Sequence, residues 1–208
     1  MTKALFLNCS LKSSNEESNT EALMKEVIKH FNRENVESEI IRITDYNIKF
    51  GVSEDEGYGD EWPDVFNKVM HADIVIVGTP LWIGEKSSVA TMVMERLYGG
   101  SGLTNDKGQY IYYNKVGGVV ITGNEDGAKH AAASILYGLT HMGFTIPPNV
   151  DTYWVGEAGP GESYIEAEGH NNDFTMQHAK IMAYNLMHFA NMLKENPIPA
   201  EGNVVEQS

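Results

Sequence analysis

Apolar residues follow two rhythms along this chain. Short, nearly unbroken runs mark strands buried on both faces. They fall at residues 4–9 (Ala-Leu-Phe-Leu-Asn-Cys), at 39–43 with Ile40, Ile41 and Ile43, at 72–79 around Ile74-Val75-Ile76-Val77, and at 115–121 around Val116-Gly117-Gly118-Val119-Val120-Ile121. Residues 144–146 and 152–155 supply a last strand. Between these runs the spacing becomes helical. Residues 21–33 line up Ala22, Leu23, Val27, Ile28 and Phe31, and residues 86–98 line up Val89, Met92, Val93 and Leu97. Residues 62–71, 128–142 and 171–193 complete the helices, with Pro63 tolerated in a first turn. Residues 44–60 and 99–114 read as loop. Residues 1–194 form one domain, and 195–208 a polar, mobile tail. Strands alternating with helices predict an α/β fold, a parallel sheet covered by helices on both faces.

Five strands at this spacing fit the flavodoxin-like order 2-1-3-4-5. Ligands of such sheets bind beyond the carboxyl ends of the strands, near the switch point between the first and third. The loops at that edge are 10–20, 80–84 and 122–127, and they hold the unusual side-chain chemistry of the chain. The first reads Ser10-Leu11-Lys12-Ser13-Ser14-Asn15-Glu16-Glu17-Ser18-Asn19-Thr20. A hydroxyl-rich loop between a strand and a helix N-terminus makes an anion cradle, because free N–H groups and the helix dipole favour negative charge there. Ser18, Asn19 or Thr20 would serve equally as a plain helix cap. No Gly-Lys-Ser/Thr follows a glycine-rich turn, so the loop is not a Walker A, and without glycine it is not a Rossmann fingerprint. A glycine-free cradle suits one terminal phosphate better than a pyrophosphate, which needs close backbone approach.

Bulk properties narrow the partners. The 208 residues suit one large domain, and 42% apolar content suffices for its core. A formal net charge of −14 argues against nucleic acid and anionic membrane surfaces. Any phosphate must therefore be held locally, against the overall field. The single cysteine, Cys9, excludes an intrachain disulfide and suits a reducing, cytoplasmic setting. Neither a signal peptide nor an apolar run of about 20 residues is visible.

Taken together, the three loops resemble those of the NAD(P)H-dependent FMN reductase family within the flavodoxin-like superfamily. The first loop is similar to that family's phosphate loop. Thr79-Pro80-Leu81-Trp82-Ile83-Gly84 looks like its second flavin loop, and Thr122-Gly123-Asn124-Glu125-Asp126-Gly127-Ala128 is similar to its third. The resemblance covers residues 3–155 and, more loosely, the final helix. It implies non-covalent FMN. Ser10, Lys12, Ser18, Asn19 and Thr20 would hold the phosphate. Pro80, Leu81, Trp82 and Ile83 would line the ring, and Thr122, Gly123, Asn124 and Gly127 would contact its pyrimidine end. Lys12 stands where the family usually has Arg, which loses a bidentate fork. Related iron–sulfur flavoproteins carry a cysteine cluster after the second strand, but residues 44–61 contain no cysteine.

The resemblance further implies electron transfer from NADH or NADPH to a quinone, flavin, nitro compound or other small acceptor. The cofactor carries that chemistry, so no catalytic acid, base or nucleophile is expected. No histidine pair has metal-ligand spacing, and no metal is expected. Two other functions fit parts of the pattern. One is a flavodoxin-type electron carrier, favoured by the acid surplus but lacking a second aromatic in 122–127. The other is a flavin-free phosphate-binding or interaction domain. Related reductases commonly pair across the flavin edge, so a homodimer or homotetramer is expected, with Tyr110, Tyr112, Tyr113 or Trp154 in the contact.

Overall fold

The computed structural model describes residues 1–205. Its sheet has the order β2-β1-β3-β5-β6, all parallel, formed by β1 (Lys3–Asn8), β2 (Glu37–Arg42), β3 (Ile74–Trp82), β5 (Val116–Gly123) and β6 (Asp151–Val155). A two-residue strand β4 (Glu85–Lys86) folds back antiparallel on the end of β3. Counting only the parallel strands, this is the flavodoxin-like order the alternation predicts.

Five helices cover the two faces: α1 (Asn19–Arg33), α2 (Trp62–His71), α3 (Ser88–Gly99), α4 (Ala128–Met142) and α5 (Asp173–Glu195). Alternate residues of each strand point to opposite faces, which divides the core in two. Leu5, Leu7, Val75, Val77, Val119 and Ile121 pack with Val65 and Val69 of α2, Val93 and Leu97 of α3, and Ile135 and Leu139 of α4. Ala4, Phe6, Ile74, Ile76 and Val120 pack with Leu23, Val27 and Phe31 of α1 and with Met182 and Leu186 of α5. Cys9, just past β1, is fully buried in the first cluster, and burial pushes its thiol pKa up. Gly78 of β3 is a close approach: a Cβ there would meet the Met24 Cε at 1.8 Å and the Thr20 Cγ2 at 3.0 Å. Its bareness lets the start of α1 settle on the carboxyl end of the sheet.

Several expected features differ. Residues 144–146 form no strand beyond a single bridge at Thr145, and the last strand is β6 alone. The stretch 80–84 is not simply a turn, because β3 continues to Trp82 and its hairpin partner β4 pairs with the extension. The tail expected to be mobile is tied down through the last described residue. Gln109 Nε2 donates to the Ile198 and Pro199 carbonyls, Asn114 accepts from the Ile198 N–H, and Val205 N–H donates to Gly108. Tyr112 and Trp154 belong to the core rather than to an exposed contact surface. Tyr112 stacks on Phe144 with centroids 4.7 Å apart and donates its hydroxyl to the Leu97 carbonyl, and Trp154 packs edge-on to Tyr164. Loop 44–60 is held by a fully buried pair, Asp60 with Arg96 at 2.7 Å, and Arg96 also lies over the Trp62 ring.

Candidate flavin site

The carboxyl ends of β1, β3 and β5 converge on a cleft of about 540 Å³. Its walls come from the three loops and from a fourth segment, residues 156–171, which straps across the opening after β6. Of the residues singled out by sequence, Ser10, Lys12, Ser18, Asn19, Thr20, Pro80, Leu81, Trp82, Thr122, Gly123 and Asn124 line the cleft, and Ile83 and Gly127 do not.

The first loop is built by side chains gripping backbone. Asn8 Oδ1 accepts from the Ser10 N–H at 3.0 Å, and Ser10 Oγ accepts from the Lys12 N–H at 3.4 Å. Ser18 is the N-cap of α1, its Oγ accepting from the Glu21 N–H at 3.1 Å. The N–H groups of Asn19 and Thr20, in the first helical turn, have no acceptor among the described residues. Cap and cradle are therefore not alternatives: Ser18 caps, and the cap leaves two donors at the positive end of the helix facing the cleft. Lys12 Nζ is exposed and donates to the Glu17 carbonyl, so the lysine closes its own loop. Among the cleft-lining residues Lys12 is the one cation, against Glu17, Glu125 and Glu166. A phosphate here would be held by N–H and hydroxyl groups more than by charge.

The Thr20 hydroxyl does not simply face a ligand. It lies 2.8 Å from the Thr122 hydroxyl, and both residues are buried. One of the two protons is committed to that bond, and the other remains for the cleft. The amides of Asn19 and Asn124 hold the strap: Asn19 Oδ1 accepts from the Ile165 N–H at 2.9 Å, and Asn124 Nδ2 donates to the Gly161 and Glu162 carbonyls at 2.7 and 2.6 Å.

The second loop is a tight hairpin whose two turn residues, Ile83 and Gly84, have φ of 50° and 76°. Both values suit the primed turns that match strand twist. For β-branched Ile83 that conformation is strained. The side chain is 92% exposed at the hairpin tip, outside the cleft, which is why it does not line a ring site. Trp82, 54% exposed, lies along the cleft wall. The hairpin is anchored to α4 by Glu85 to His130 and by Lys86 Nζ to Ser134 Oγ at 2.8 Å. The hydrogen bond from His130 holds the Glu85 carboxyl below its usual range. Gly127, with φ of 119°, lies beneath the turn: a Cβ there would meet the Gly84 oxygen at 2.3 Å. Gly127 thus supports the hairpin and does not line the cleft.

The strap contributes Gly159, Gly161, Ser163, Tyr164 and Glu166 to the lining. Tyr164 is its anchor, buried against Trp154, and burial raises its phenol pKa. Its hydroxyl has no partner among the described residues. Sequence reasoning missed these residues because the strap has neither strand nor helix periodicity. Its only signal was length between β6 and α5.

An open cleft with a phosphate-sized donor cluster at one end, an aromatic hairpin beside it and glycine at the third loop fits FMN. The acceptor-free N–H groups of Asn19 and Thr20 would meet the phosphate, Trp82 and Leu81 the ring, and the backbone at Gly123 the pyrimidine edge.

Comparison with known proteins agrees. The chain is 45% identical over 198 residues to the divalent metal cation transporter MntH of Mycobacterium bovis, a match covering 92% of this chain but 29% of that protein. The chain therefore spans under a third of that relative, and among the described residues no helix is long and apolar enough to cross a membrane. It is 35% identical over 204 residues to 8-demethyl-8-aminoriboflavin-5'-phosphate synthase of Streptomyces davaonensis, covering 94% of this chain and 79% of that one. The crystal structure of RosB with the bound intermediate 8-demethyl-8-formylriboflavin-5'-phosphate superposes with a TM-score of 0.89 at 35% identity, covering 95% of this chain and 82% of that one. The model of the NADPH-dependent FMN reductase family matches residues 2–158, and the chain belongs to that family.

Proposed function

We propose that this protein is an FMN-dependent oxidoreductase that takes two electrons from NADH or NADPH and passes them to a quinone, a nitro compound, a flavin or another small acceptor. The observation that carries this is the cleft itself, in which a phosphate-sized donor cluster and a half-exposed tryptophan share one opening at the switch point. FMN, when bound, would supply the hydride chemistry. The chain's residues do the positioning. Asn19 and Thr20 offer backbone N–H groups, and Ser10 adds a hydroxyl. Leu81 and Trp82 flank the ring, and Trp82 leaves room for a second planar group. The Ser163 N–H and hydroxyl hold the Glu166 carboxyl, at the cleft wall, below its usual range. That carboxyl stays ionised and is no proton donor near neutral pH, which suits hydride transfer. Pairing into a dimer or tetramer remains part of this proposal, with Tyr110, 42% exposed, as the aromatic still available from the predicted set.

A second function is favoured by one specific observation, the 35% identity over 94% of the chain to an enzyme named for making an aminoriboflavin phosphate. On that view the flavin in the cleft is itself altered. One experiment separates the two. Purified protein is loaded with FMN, and NADH or NADPH oxidation is followed with and without a quinone. The flavin is then extracted and weighed by mass spectrometry. The oxidoreductase predicts turnover of nicotinamide and recovery of unchanged FMN. No nicotinamide oxidation with either donor, under any acceptor, refutes it, and a flavin of altered mass supports the second function.

A further inference from the structure

Arg42 ends β2, in register with Asn8 at the end of β1. Its side chain is 4% exposed and does not line the cleft. It nonetheless organises the loop that does. Nη1 donates to the Lys12 carbonyl at 2.9 Å and the Ser13 carbonyl at 2.7 Å, and Nη2 donates to Glu21 Oε2 at 2.5 Å. The guanidinium therefore bridges the start of the first loop and the first turn of α1, closing the loop from beneath. Its neighbours act on the same stretch. Thr44 Oγ1 donates to the Lys12 carbonyl at 2.8 Å, and Asp45 Oδ1 accepts from the Ser14 N–H at 2.9 Å. Glu21 is pulled both ways: burial raises its pKa, while Lys25 and Arg42 lower it further, so it stays ionised and paired.

Two consequences follow from elementary electrostatics. Loop carbonyls are negative dipole ends and repel a phosphate. Arg42 engages two of them, so they are held by the guanidinium and not turned toward the cradle. Arginine is suited to this because its planar fork reaches several acceptors from one fixed position. Arg42 also sets a buried cation close to the first turn of α1, where the helix dipole is already positive.

We propose that Arg42 is the positioning residue of the phosphate loop: it sets affinity for the terminal phosphate of the flavin without touching it. The inference rests on the flavin assignment above. The test compares FMN with riboflavin, which lacks the phosphate, by fluorescence titration of the full chain. The double variant Arg42→Met with Glu21→Gln removes the ion pair without stranding a buried charge. Thr44→Val removes one exposed anchor of the same loop and leaves the core untouched. The double variant should bind FMN roughly tenfold or more weakly, as the loop donors to the charged phosphate lose their alignment, with riboflavin affinity within about twofold. Thr44→Val should shift the FMN-to-riboflavin ratio in the same direction by a smaller factor, and it decides the matter if the double variant does not fold. Equal losses for both ligands would mark a merely structural arginine, and an unchanged ratio in both variants would overturn the proposal. If the wild-type chain binds neither, it is the flavin assignment that fails; if it binds riboflavin as tightly as FMN, there is no phosphate affinity to set and the proposal about Arg42 is overturned.

Discussion

The hydroxyl pair of Thr20 and Thr122 joins residues 102 positions apart and ties the first turn of α1 to the end of β5. Thr20→Val keeps the shape but takes from the buried Thr122 hydroxyl its one protein partner among the described residues. The cost is that of an unsatisfied buried group, about 1–3 kcal/mol. Thr122→Val should cost a similar amount. The double Val variant replaces both hydroxyls with methyl groups; valine is at home in β5 at Thr122, and at Thr20 it exchanges one β-branched residue for another in the first turn of α1, so it should lie within about 1 kcal/mol of wild type. With a urea m-value of about 2–3 kcal/mol/M, each single variant shifts the midpoint down by roughly 0.3–1.5 M. The predicted signature is strong non-additivity, an interaction of about 1–3 kcal/mol. FMN affinity should show the reverse order. Each single variant keeps one hydroxyl that can turn its proton to a ligand. The double variant keeps none and should bind FMN roughly tenfold or more weakly. Urea denaturation of the four apo proteins and FMN titration of each make the measurement. If the double variant loses as much stability as the two singles added together, the hydroxyls are not partners and the reasoning fails.

Three further outcomes are expected. Trp82→Ala, at a half-exposed position, should leave the apo melting temperature within a few degrees while changing the visible spectrum of bound flavin; an unchanged spectrum would remove Trp82 from the ring site. Asn124→Ala removes two hydrogen bonds that hold the strap and should raise hydrogen exchange across 156–171 and speed flavin release; unchanged exchange there would refute the latch. Lys115 is buried, donates to the Met70 and Ala72 carbonyls, and is lowered by burial to about 8 from 10.5. Because the folded state gives up this proton first, the unfolded state binds more protons between those values, and stability from this group rises with pH across that window. The difference in unfolding free energy between wild type and Lys115→Met should therefore grow from pH 8 toward 10.5, and a flat or falling difference would contradict it.

Much was legible in sequence because it is set by local periodicity. Buried parallel strands need unbroken apolar runs, and helices packed on them need a stripe every 3.6 residues. Those constraints located β1, β2, β3, β5 and all five helices to within a few residues, and with them the edge of the sheet where a ligand must sit. The three loops followed, since a loop's place is fixed once its strand and helix are. What each loop side chain does was not legible, because hydrogen-bond partners are chosen by distance in space rather than along the chain. Asn19 and Asn124 looked like flavin contacts; both line the cleft, and their side-chain amides also hold a strap that lies far on in sequence. Gly127 looked like a ligand position and instead makes room for Gly84. Nothing in the sequence singled out Arg42 within the 39–43 run. Only the parallel register that sets it beside Asn8 brings its guanidinium under the phosphate loop. Periodicity records which face of an element is buried, and the tertiary structure alone decides which polar groups meet once those faces are packed.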